Sequence, residues 1–164
     1  MSQSFNIKKI IDLVCKKYFS EIVRHIDSPY FHLEGYFVDR LPSEDFQDTI
    51  MVHVYTPPWI SEKEYDEYFR IYALDVLQQQ NKRNLTILIG GIAHELGHFV
   101  LYRKSRLECS IPHDERLVDD IVIEKGLGEY LLEAKEYIRE RRPDYTFNGY
   151  TPEEIREKLN VVQF

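Results

Sequence analysis

Two histidines with a glutamate between them, His94-Glu95-Leu96-Gly97-His98, are the residues whose types and spacing point to chemistry. On a helix, positions i and i+4 share a face, so His94 and His98 can converge on one atom. Imidazole nitrogens suit zinc, which takes three or four such ligands from a protein. Glu95, beside the first histidine, can hold a water activated by the metal, as a general base would. The flanks add weight. Ile87, Leu88, Ile89, Ile92, Ala93, Leu96, Phe99 and Val100 are apolar round most of the helix circumference, which is the pattern of a buried helix. Polar groups buried there need partners, and a metal supplies one. The plain alternative is two hydrogen-bonded core histidines and a surface glutamate.

Two histidines do not complete a catalytic zinc site. A third histidine six residues beyond the second is absent, since that position is Lys104, and Leu101 stands where a glycine would precede it. A carboxylate on a following helix is the other common source, and Glu115 offers one. Glu115 and Asp119 are four apart and share a helix face.

The pentapeptide from His94 to His98, followed after sixteen residues by Glu115-x-x-x-Asp119, resembles the gluzincin metallopeptidases, the thermolysin-like branch of the zincins. The small size resembles the minigluzincins. The motif match covers residues 85–126. The resemblance implies that His94, His98 and Glu115 bind one zinc per chain and that Glu95 is the general base. It puts Asp119 behind a ligand histidine, His94 first, holding the distal ring nitrogen. That role also makes sense alone, because an oriented imidazole needs its other N–H anchored. His113 or Asp114 can replace Glu115 as ligand, and Glu124 lies further along the same helix. His113, Tyr145 and Tyr150 are candidates by position for stabilising an oxyanion. The function implied is a zinc-dependent metalloendopeptidase acting on a peptide or protein, which docks along an edge strand. One alternative is a non-proteolytic or latent zinc-binding domain used in protein interaction or regulation, with residues 149–164 as a plug. The other is a metal-free interaction protein.

These residues need elements to position them. Ile7, Ile10, Ile11, Val14, Tyr18, Ile22 and Ile26 predict one amphipathic helix over 5–26, with Lys8, Lys9, Lys16, Lys17 and Arg24 opposite. Segments 30–40 and 48–56 read as strands, the second alternating cleanly, and the turn-like linker between them predicts an antiparallel pair. His32 and His53 on these strands are weaker ligand candidates. Ser61 and Glu64 form a capping box for a helix over 62–80 carrying Tyr65, Tyr68, Phe69 and Tyr72. The motif helix runs over 85–103; Gly90 and Gly91 within it imply close approach of another backbone, room for a ligand, or a local irregularity. Helices over 112–125 and 129–142 follow, the second with Lys135, Arg139, Arg141 and Arg142 on a solvated face. Thr151-Pro152-Glu153-Glu154 starts a last short helix.

The fold expected is a helix-rich α+β, zincin-like single domain over 1–164. A small antiparallel sheet of two to three strands packs on a buried active-site helix and a glutamate helix. The formal charge of −7 argues against nucleic acid or an anionic membrane as partner. Cys15 and Cys109 are far apart and form no Cys-x-x-Cys, which argues against a disulfide framework and a thiolate zinc site. With no leader pattern at the start and no apolar run long enough to span a bilayer, the expected compartment is the cytoplasm. Oligomeric state is not set by these features.

Overall fold

The computed structural model describes residues 3–43, 49–60, 66–104 and 114–162. Among them are six α-helices and one three-stranded mixed sheet, a helix-rich α+β chain. It divides into two compact units, Met1–Asn81 and Lys82–Phe164.

The first unit opens with α1 (Ile7–Tyr18) and α2 (Ser20–Ile26). Asn6 caps α1 by accepting from the Lys9 N–H. Ile7, Ile10, Ile11 and Val14 are buried, as their spacing requires. The single helix expected over 5–26 is broken at Phe19, whose φ of −117° and ψ of 65° lie outside the helical region. The break costs little hydrogen bonding. The Phe19 N–H still donates to the Cys15 carbonyl, and the Phe19 carbonyl accepts from Ile22 and Val23. In return Phe19 is fully buried.

The sheet holds β1 (Phe31–Val38), β2 (Met51–Thr56) and β3 (Glu67–Leu74) in the order β1-β3-β2. This corrects two expectations. Residues 67–74 form the central strand, not part of a helix, so β1 and β2 are not an antiparallel pair. β3 runs parallel to β1 and antiparallel to β2. Spacings of three and four among Tyr65, Tyr68, Phe69 and Tyr72 mimic a helix. The pattern that prevails has period two: Phe69, Ile71 and Ala73 all point to one face and are fully buried. Aromatic and β-branched residues favour this state. Ser61 and Glu64 lie outside the described residues.

The second unit is helical. Its centre is α3 (Lys82–Lys104), against which α4 (Glu115–Glu124) and α5 (Gly128–Arg141) pack. α6 (Pro152–Val162) lies on α5. Ile87, Leu88, Ile92, Ala93, Leu96 and Phe99 are at most 1% exposed, so α3 is a core helix. It is also the one helix among the described residues that is long and apolar enough to cross a bilayer, but 61% of its apolar window is buried within the protein. Of the three reasons for Gly90, close approach of another backbone is the one found. A Cβ there would overlap the Tyr130 carbonyl and lie 3.0 Å from the Leu131 nitrogen, so α5 crosses α3 backbone to backbone. The capping box at α6 forms as expected. Thr151 N–H donates to Glu154 Oε2 at 2.9 Å, and Glu154 N–H donates to Thr151 Oγ1 at 3.2 Å.

Candidate metal centre

α3 carries His94 and His98 one turn apart on one face, with ring centroids 5.0 Å apart and planes at 79°. α4 brings its first residue to both. Glu115 Oε2 lies 2.8 Å from His94 Nε2, and Glu115 Oε1 lies 3.3 Å from His98 Nε2. One carboxylate thus spans two imidazoles, and donor atoms of the three residues all lie within 4.8 Å of one another. Donors around a tetrahedral zinc with bonds near 2.0–2.1 Å are about 3.3 Å apart. The His98–Glu115 separation already has that value. The shorter His94–Glu115 one is a hydrogen-bond length. Two histidines and a glutamate are the protein ligands of one class of catalytic zinc, and the residues fit that group.

The local sequence explains why Glu115 arrives there. Asp114 caps α4, its side chain accepting from the N–H groups of Arg116 and Leu117. That use takes Asp114 out of the ligand set and starts the helix so that Glu115 and Asp119 share the face toward α3. Asp119 is fully buried. Its Oδ1 lies 3.0 Å from His94 Nδ1, which leaves Nε2 to face Glu115. This is the arrangement expected of a carboxylate behind a ligand histidine.

Charge at the site is unbalanced toward the negative. Burial works against a charged His94 ring, yet hydrogen bonds to Asp119 and Glu115 and the charge of Glu95 outweigh it, raising its pKa to about 10. Burial likewise pushes Glu115 up, but hydrogen bonds from His94 and His98 win and hold it far below the ordinary carboxylate range. Asp119 is also lowered, its burial overcome by His94 and then by Lys135. The cluster could hold a cation. Glu95 is 7% exposed, and its carboxylate comes within 4.8 Å of a His98 ring nitrogen.

Glu124 is exposed near the end of α4, and His113 lies outside the described residues. His32 and His53 belong to the sheet, stacked on Tyr68 and Phe69. Tyr150 donates its phenol to Asp120 Oδ2 at 3.2 Å, and Tyr145 packs on Phe147.

Two residues beside the site were not read from the sequence. Tyr102 sits one turn past His98, half-buried, with ring centroids 6.5 Å apart. Burial, then the charges of Glu95 and Glu115, push its phenol up to about 12. The signal was its spacing of four from His98. Lys135, expected on a solvated face, is instead 6% exposed and paired with Asp119. Its signal was a place in the apolar period of α5, four residues after Leu131. Comparison with known families, with characterised proteins and with solved structures finds no match, so the reading of this centre stands on its own geometry.

Proposed function

We propose that the chain is a zinc-dependent metalloendopeptidase of the gluzincin kind, acting in the cytoplasm on peptide bonds of a peptide or protein. The observation that carries this is the convergence of His94, His98 and Glu115 from two helices, with Asp119 fixing the His94 ring from behind. His94, His98 and Glu115 would hold the metal. Bound zinc lowers the pKa of water to near neutrality and polarises a carbonyl. Glu95, close to His98 and little exposed, takes the proton from the attacking water and gives it to the leaving amine. Tyr102 keeps its proton well above neutral pH and so can donate a hydrogen bond to the oxygen on which charge develops. No covalent intermediate is needed.

Zinc per chain, measured by elemental analysis on protein purified without chelator, tests the metal. Cleavage of a peptide library, with Glu95→Gln as control, tests the reaction. One zinc, with cleavage lost in the variant, is the expected result. Zinc without cleavage would leave a binding domain, and a chain that takes up no zinc at neutral pH would overturn the reading.

A further inference from the structure

Lys135 is a long cation inside the helical unit, where neighbours Leu131 and Ala134 are apolar and buried. Burying a lysine is costly unless it is paired, and replacing a buried ion pair by apolar side chains is often neutral or stabilising. A lysine at this position therefore points to a task other than holding helices together. Its surroundings give the task. Lys135 Nζ donates to Asp119 Oδ2 and, at 2.5 Å, to the Tyr150 carbonyl. The Tyr150 N–H donates to the same Oδ2 at 2.9 Å. The other oxygen, Oδ1, is the one that meets His94 Nδ1. The carboxylate is divided between two clients: one oxygen is tied down by lysine and backbone, the other is presented to histidine. Gly149 completes the seat. A Cβ there would collide with Asp119 Oδ2 and stand 3.1 Å from Lys135 Nζ.

We propose that Lys135 is a positioning residue of the metal centre, and that with the Gly149–Tyr150 turn it aims Asp119 at His94. The proposal rests on the zinc reading above and adds a residue from α5 to a site otherwise made by α3 and α4. Lys135 does not touch metal or substrate. It acts through Asp119, and its removal leaves Oδ2 held by the Tyr150 N–H alone, so that the carboxylate and the His94 ring are held less firmly.

The test compares zinc affinity of the full chain, Lys135→Met and Gly149→Ala by competition with a chromophoric chelator at pH 7. The Nδ1–H proton of His94 is followed by NMR in the zinc-loaded proteins. Outer partners of ligand histidines change metal affinity by about 10–100-fold. About tenfold weaker binding is expected for Lys135→Met, with faster exchange of that proton, and the metal-free variant unfolds at lower urea because the buried Asp119 carboxylate loses its cation. Equal affinity and an unchanged proton in Lys135→Met, beside a parent chain that binds zinc, would sink this proposal and leave the zinc reading intact. A parent chain that binds no zinc removes both. If Lys135→Met does not fold, Gly149→Ala crowds the same oxygen without removing a charge. Affinity unchanged in that variant overturns the proposal equally.

Discussion

His94 is gripped at both ring nitrogens, Nδ1 by Asp119 and Nε2 by Glu115. Without metal, a proton is the cation these carboxylates hold. The folded pKa of His94 is raised from 6.5 to about 10, so its contribution to stability is full below about pH 6.5 and is lost as pH rises through 10. Glu115 and Asp119 are lowered, so theirs is present at neutral pH and is lost in acid. Each pKa unit corresponds to about 1.4 kcal/mol. The urea midpoint of chelator-treated protein should therefore fall between pH 7 and 10, and fall less steeply in Asp119→Asn. A flat profile would show that His94 holds no such proton. Zinc binds the neutral ring, so affinity should rise with pH over the same window. Tyr102 separates from the ligands by a different readout. Tyr102→Phe should reduce kcat by about 100-fold, the scale for losing one oxyanion donor, and leave zinc affinity unchanged. Equal loss of affinity would make Tyr102 a support of His98 instead.

At the scale of elements, the close crossing at Gly90 and the cap at Thr151 both lose stability when alanine replaces the residue. Alanine for glycine inside a helix ordinarily stabilises by about 1 kcal/mol. At Gly90 the added Cβ meets the backbone of α5, which cannot rotate away, so Gly90→Ala should lower stability by about 1–3 kcal/mol in urea unfolding. Thr151→Ala removes a cap and should cost about 1 kcal/mol. A stabilised Gly90→Ala would mean that α3 and α5 are not in backbone contact. The cap of α6 and the i, i+4 pairs of α3 and α4 were legible in sequence because their geometry is local. What failed was where tertiary context decides. Tyr68, Phe69 and Tyr72 satisfy a helical and a strand period at once, and neighbours on both sides make 67–74 a strand. Phe19 ends α1 inside a continuous apolar stripe because its ring has a buried place. Lys135 looked solvated because its partner Asp119 is sixteen residues away on another helix. The convergence of His94, His98 and Glu115 and the contact of Asp119 with His94 were readable from residue types and spacing, and the Lys135–Asp119 pair was not.

For the whole molecule, the division into Met1–Asn81 and Lys82–Phe164 puts every residue assigned to the metal, base and support in the second unit. A ligand that binds only the native state stabilises it by about 2.7 kcal/mol at a hundredfold excess over Kd. Local opening is governed by the stability of the block that opens, so zinc should slow amide exchange wherever opening breaks the site. We expect slowing of up to about 100-fold at that excess around His94–His98 in α3 and Glu115–Asp119 in α4. Lys135 should carry the effect into α5, because it shares the Asp119 carboxylate. Exchange followed by mass spectrometry with and without zinc reads all three helices together, and the amides of β1, β2 and β3 serve as the internal reference. If the sheet gains the same factor, the two units open as one cooperative block; if it gains none, zinc is felt only by the helical unit. Tight zinc binding with no added protection in α3 or α4 would mean that the metal sits on other residues, and the centre built from His94, His98 and Glu115 would have to be abandoned.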